Sequence, residues 1–277
     1  MDKISISRQV SCLSNYLRRH AEDFCSFGSL LCHDRHEAID NFERSFESCL
    51  IAFHSVYDIS KDDFKYFDHP DTTLIIAVRN ALVHRRHGLF EGFLSRIWLR
   101  GGFSEFSGSS FLLVSHCSSG FCDNKHASRF VPRYYIKLDD IFLRFDPDSG
   151  SDCLDSSVGK AVVSDRFRIL NDGLFLSFVR DFSRKNRYPD SHVFVDLFPV
   201  FVSAISRVFC WIKDYGVGLE GFDSSVYSDF FGKDFYLDAG VVMVSRYNLN
   251  EVQECLGPQG IFLPHQEILN LREMKGL

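Results

Sequence analysis

The sequence predicts a mainly α protein: a helical bundle with a small β-containing insertion and a mixed C-terminal segment. Three observations predict it. Apolar residues recur at spacings near 3.6 from Val10 to Tyr57 and again from Thr73 to His87. Between Gly101 and Asp165 the chain turns rich in Gly, Ser and short apolar runs, and from Phe167 the helical spacing returns. The chain therefore divides into 1–100, 101–165 and 166–277, stretches that also fit within one domain. Its 277 residues exceed the roughly 100 to 200 of a typical single core.

Val10, Leu13, Leu17, Phe24, Phe27 and Leu31 predict one or two opening helices, with Gly28 as a point of interruption. From Asp34 as N-cap, Ile39, Phe42, Phe46, Cys49, Leu50, Phe53 and Tyr57 trace one stripe. Glu37, Asp40, Glu43 and Glu47 read as the exposed opposite face. The break KDDFKYFDHPD leads through Pro70, with Asp71 and Thr72 as cap candidates, to a helix from about Thr73 to His87, which Gly88 ends. FLLV (111 to 114), YYIKL (134 to 138) and IFLRF (141 to 145) read as strands, and DPDSGSD as a loop. Phe167, Leu170, Leu174, Phe178 and Phe182 predict a further helix, as do Phe201, Val202, Ile205, Val208, Phe209 and Ile212 after Pro199. GVVMV (240 to 244) reads as a strand and Asn250 to Cys255 as a short helix.

Composition narrows the function classes. Hydrophobic residues make up 45% of the chain and Phe supplies 29 positions, which excludes a disordered chain. A net charge of -6 excludes the global basic field of a nucleic-acid coat, so contact with RNA must be local. Nine Cys form an odd, unpatterned set, which is reduced, cytosolic usage. The opening residues lack the apolar core of a signal peptide, so a cytoplasmic location is expected. The apolar run from Val193 to Ile212 contains Asp196, Pro199 and Arg207, and reads as buried core rather than a membrane span.

One segment carries chemistry: Arg79-Asn80-Ala81-Leu82-Val83-His84. On a helical wheel Leu74, Ala77, Val78, Ala81 and Leu82 share the core arc. Asn80, His84 and His87 lie on the opposite arc, flanked by Arg79 and Arg86, with Ile76 and Val83 among them. Such a mixed face suits a cleft or an interface better than open solvent. The spacing also occurs at Arg187 and His192, where Pro189 prevents a continuous helix, so that pair reads as turn residues.

In its helical setting Arg79-Asn80-x3-His84 resembles the motif of HEPN-domain ribonucleases, over roughly Arg35 to Arg100. The resemblance implies a bundle of four or more helices, paired as a homodimer whose two motifs line one RNA-cleaving cleft, with no metal or other cofactor. It also implies a setting in toxin-antitoxin or antiviral phage-defence systems, with an antitoxin or another regulatory protein as partner. Some relatives carry a modified Tyr two positions after the motif His; here Arg86 stands there, so regulation by that route is not expected.

The residue chemistry suits RNA cleavage by its own 2′-hydroxyl. His84 is the general base or acid near neutral pH. Arg79 holds the phosphate and stabilises the charge of the transition state. Asn80 orients the imidazole or contacts substrate. Arg85, Arg86 and His87 are the RNA-binding candidates, and Arg96 and Arg100 add positive charge. The main alternative is a non-catalytic helical binding or regulatory subunit in which Arg79 and His84 are structural. A third reading makes His116, Cys117, Cys122 and His126 a zinc module, although their spacing departs from the usual knuckle. Asp146, Asp148, Gly150 and Asp152 resemble the start of a calcium loop, but Ser157 stands where the bidentate Glu belongs, so a turn is the better reading.

Overall fold

Isolated helices are marginal in water, so each helix here holds its form by burying one face. The computed structural model of the protein describes residues 3–84, 88–118, 132–155, 158–249 and 266–271. Helix α1 (Lys3–Leu31) buries Ile6, Val10, Leu13 and Leu17 and runs through Gly28 without interruption. An interior Gly costs only about 1 kcal/mol. The last turns are held by Phe27, whose ring meets Phe42 edge-on at 5.5 Å. Helix α2 (Arg35–Ser60) opens on Asp34, whose side chain accepts from the Glu37 N–H at 3.0 Å. It packs along α1 through its apolar stripe.

Helix α3 (Pro70–His84) starts three residues before the expected Thr73. Proline lacks the N–H that a first helical turn would leave unpaired, so it fits that position. Thr73 Oγ1 donates back to the His69 carbonyl at 2.7 Å, and Thr72 Oγ1 to the Tyr66 carbonyl. Gly88 has a left-handed φ of 62°, which glycine adopts without strain.

Short helices α4 (Phe93–Trp98) and α5 (Gly102–Glu105) lead to strand β1 (Ser110–Ser118). Strand β2 (Tyr135–Lys137) runs directly into α6 (Leu138–Phe145), and this corrects the reading of IFLRF as a strand. Leu138, Ile141, Phe142 and Phe145 are buried at helical spacing, and a short apolar run does not reveal its period. Helices α7 (Lys160–Leu174) and α8 (Leu176–Lys185) meet at Phe175, whose φ is 52°. Strand β3 (Val193–Asp196) feeds α9 (Leu197–Asp214), so the long apolar run is core, as its charges require. Helix α10 (Phe222–Phe231), strand β4 (Leu237–Asn248) and strand β5 (Gln266–Asn270) complete the order. The expected helix at Asn250 to Cys255 lies outside the described residues. Among those described, no helix is long and apolar enough to cross a membrane.

The protein is thus mainly helical with a small sheet. The five strands lie in the order β2-β3-β1-β4-β5. β1 and β3 are parallel, with Leu112 opposite Val193 and Val114 opposite Val195, and the remaining pairs are antiparallel. Strands from the 101–165 stretch therefore pair with strands that come after it. Alternate side chains feed two cores. Leu112, Val114, Val193 and Val195 join the main core with α1, α2, α3 and α9, whereas Phe111, Leu113 and Phe194 join a smaller one with Phe42, Phe93 and Tyr247. Apolar cover on both faces explains why these strands read as continuous apolar runs.

The contact of α7 with α3 is close enough to exclude a methyl group. A Cβ on Gly173 would stand 2.5 Å from Pro70 Cγ and 2.7 Å from its Cβ. Gly173→Ala should destabilise the protein by about 1–3 kcal/mol in urea or thermal unfolding, even though Ala is the better helix former.

Candidate functional site

Burial along α3 follows its packing on α2, α7 and α9. Leu74, Ile75, Ile76 and Val78 are buried. Ile76, placed by the wheel on the polar arc, is a core residue because α3 is covered on more than one side. Arg79 and Asn80 are half-buried, and Val83 is exposed. The Arg79 Nη1 donates to Asn80 Oδ1 at 3.0 Å. Asn80 therefore holds the arginine. Arg79 Nε is buried without a hydrogen-bond partner. The backbone of His84 is helical, while its side chain and the whole of Arg85, Arg86 and His87 lie outside the described residues.

Arg79, Leu82 and Val83 face Glu47, Leu50 and Ile51 of α2 across a partly open cleft of about 240 Å³. Glu47 is half-buried and not on an open acidic face. Its Oε1 accepts from the hydroxyl of fully buried Tyr134 at 3.2 Å, and that hydroxyl lies 3.3 Å from the Phe90 carbonyl. Ile51 and Val83 are 46% and 47% exposed, so the rim is apolar.

His54, two turns along α2 from Glu47, is buried and bonds Asp58 Oδ2 through Nδ1 at 3.1 Å. Burial and then the positive charge of Arg79 lower its pKa, against the pull of Asp58. An imidazole whose charged form is disfavoured thus lies within electrostatic reach of Arg79. The sequence placed Glu47 on the exposed face in preference to the cleft, and did not single out His54. The available signal was Glu43, Glu47, Leu50, His54 and Asp58, which repeat at helical spacing along a second face of α2.

Glu43 departs furthest from the expected exposed face, because it is 4% exposed. Its Oε1 accepts from Ser95 N at 3.2 Å. Burial pushes its carboxyl up to about 7, against the bonds from Ser95 and with the help of the charges on Glu47 and Glu91. Asp140 accepts from Phe90 N at 2.8 Å, and burial raises its carboxyl to about 6. Asp140 thus holds the chain just ahead of α4, and Glu43 holds its first turn. Phe90, at φ 64°, is fully buried between them.

The other candidates fall elsewhere. Arg100 pairs with Glu91 at 2.9 Å, and Arg96 lies over the Phe106 ring. Arg187 has φ 64° and His192 ends a 3-10 turn, so that copy of the spacing lies on turns. His116 Nε2 pairs with the Leu174 carbonyl at 3.0 Å, and no group of metal-ligating side chains occurs among the described residues. Cys122 and His126 lie outside them, as does Ser157. Asp146 Oδ1 accepts from Asp148 N at 3.0 Å, a local turn. Comparison of the chain with protein-family models, with curated proteins and with solved structures finds no match.

Both buried acids have raised pKa values, so the folded state holds protons that the unfolded state releases. Stability is then full at about pH 4 and falls as pH rises through 6 and 7. Glu43→Gln should abolish the part of the fall between pH 6 and 8 and stabilise the protein there by roughly 3 kcal/mol, at about 1.4 per pKa unit. Chemical unfolding across pH measures this. A variant that still loses stability above pH 6 would refute the assignment to Glu43.

Proposed function

We propose that the protein is a metal-independent endoribonuclease of HEPN type, acting on RNA as a cytoplasmic homodimer in a toxin-antitoxin or antiviral setting. The observation that carries this reading is Arg79 itself. Its guanidinium lines an accessible cleft, is steadied by Asn80 and has a buried Nε without a partner. A phosphodiester supplies oxygens that match the part of the guanidinium that faces the cleft. His84 lies at the end of the same helix. The expected chemistry is attack of the 2′-hydroxyl on phosphorus, with proton transfer through His84 and charge stabilisation by Arg79. Arg85, Arg86 and His87 follow as the RNA-contacting residues.

The apolar rim supports pairing of two copies. Ile51 and Val83 sit side by side on the cleft with nearly half their surface in water, where a second protomer would cover them. Arg79 and His84 are five residues apart, about 140° on the wheel, so one copy aims them in different directions. Two copies around one cleft combine an arginine with a histidine.

Purified protein is expected to cut single-stranded RNA in EDTA and to leave a 2′-deoxy site intact. Arg79→Ala and His84→Ala should each reduce cleavage by about a hundredfold or more with the fold retained, and Arg187→Ala should do little. An equal loss in the Arg187 variant would overturn the choice of motif. A requirement for magnesium would overturn the mechanism.

Val83→Asp places a carboxylate on the rim and should separate the protomers and remove cleavage together. Sedimentation of the wild type as a monomer at micromolar concentration, with cleavage intact, would exclude the dimer.

A further inference from the structure

Cleavage by the 2′-hydroxyl needs two proton transfers, one from the attacking 2′-oxygen and one to the departing 5′-oxygen. One imidazole on the motif helix leaves the other transfer without a carrier. A second imidazole lies on α2, in the field of Arg79. His54 falls within the arc of α2 that Leu50 and Ile51 span, one turn further along, and both of those residues line the cleft with Arg79.

A single hydrogen bond fixes the state of that ring. A carboxylate only accepts, so Nδ1, 3.1 Å from Asp58 Oδ2, carries the ring proton and Nε2 keeps its lone pair. That is the form of a general base. Tyr57 meets the ring edge-on at 5.0 Å, and 7% of the residue still reaches solvent. Burial first, then the charge of Arg79 and, least, that of Lys61 lower its pKa, while Asp58 raises it. The lone pair is therefore available at neutral pH.

We propose that His54 is the general base of the cleavage, taking the 2′-hydroxyl proton on Nε2 while Arg79 of the same protomer holds the phosphate. The inference rests on the ribonuclease reading and assigns its first proton transfer, which leaves His84 as the acid. The 2′-oxygen bonds to phosphorus as its proton passes to His54 Nε2. The bond from phosphorus to the 5′-oxygen breaks as that oxygen takes a proton from the His84 imidazolium. The products are a 2′,3′-cyclic phosphate and a 5′-hydroxyl, and proton exchange with water resets both rings.

The charges also time the transfer. In the free protein Arg79 disfavours protonation of His54. A phosphodiester on Arg79 offsets that charge, and the negative charge gathered in the transition state offsets it further, so the ring's proton affinity rises as the proton is taken. Asp58 then stabilises the imidazolium and keeps Nε2 as the reacting atom, through the bond to Nδ1.

The test follows the ring nitrogens of His54 by NMR in the full chain. It also compares cleavage of ordinary RNA with RNA whose departing 5′-oxygen is replaced by sulfur, a leaving group that needs no proton. The free protein should show the Nδ1–H tautomer at neutral pH, with a titration midpoint below the usual imidazole value. An uncleavable 2′-deoxy dinucleotide should raise that midpoint in the wild type and leave it unmoved in Arg79→Ala. His54→Ala should lose about a hundredfold or more on both substrates, whereas His84→Ala should fail on RNA and recover on the sulfur substrate. An Nε2–H tautomer, a midpoint that the dinucleotide leaves unmoved at millimolar concentration, or recovery of His54→Ala on the sulfur substrate would each overturn the proposal. The titration uses the unaltered His54, so a His54→Ala chain that fails to fold does not shield it. Full cleavage by His54→Ala would overturn the base and leave the ribonuclease reading standing. A wild type that cuts neither substrate would defeat both.

Discussion

A carboxylate with no solvent exposure stands at the end of β3, and the sheet is assembled around it. Asp196 accepts from Ser115 Oγ of β1 at 2.9 Å, from Arg133 Nη1 ahead of β2 at 2.6 Å and from the Phe198 N–H of α9 at 3.0 Å. The acid thus ties together three strands and the helix that leaves them. Burying a charge is unfavourable unless its partners are complete, and loss of one partner costs about 3–5 kcal/mol. The parallel pairing of β1 with β3 and the start of α9 are therefore one arrangement, because the same carboxylate caps the helix and closes the pair.

From that point the geometry passes to the motif helix. α9 carries Ser203 and Arg207 along its length, and both donate to Asp71 in the first turn of α3, Arg207 through Nε at 2.6 Å. Asp71 is itself 1% exposed. A negative charge there also suits the positive end of the helix dipole. The N-terminus of α3 is thus tied by charge to α9 and by shape to Gly173 of α7, while its other end borders the cleft. Rigidity at one end lets the other present Arg79 at a defined place against α2, as a site built on helices rather than loops requires.

The legible parts of the sequence are those where one physical rule acts alone. The stripe of α2, its Asp34 cap, the break before Pro70 and the apolar run of β1 were all readable, because periodicity, capping and proline chemistry are local. IFLRF was misread because five residues fit either period and the helix it belongs to is held by a distant contact, Asp140 on the Phe90 N–H, fifty positions away. Glu43 and Glu47 were misread for a related reason. A carboxylate on a helix reads as exposed by default, and only the arrival of the segment around Ser95 and of Tyr134 buries this face. The arginine of the site was legible from its helix, whereas the acid across from it was not, since Tyr134 comes from a different part of the chain.

Buried charge and exposed apolar surface are not spread evenly over the fold. Around Asp196 and Asp71 the buried carboxylates have their partners, and the central strands β1 and β3 have apolar cover on both faces. The α2/α3 cleft is mixed: half-buried Arg79 and Glu47 line it together, and Ile51 and Val83 form a rim with nearly half their surface exposed. Sequences that specify one structure are consistent across levels except where function takes precedence. An apolar rim alone would suit a docking helix, and an unpartnered arginine alone would suit any anion. An apolar rim, an arginine steadied by Asn80 and a carboxylate held by Tyr134 meet in this one small cleft, at the part of α3 that lies away from Asp71 and Gly173.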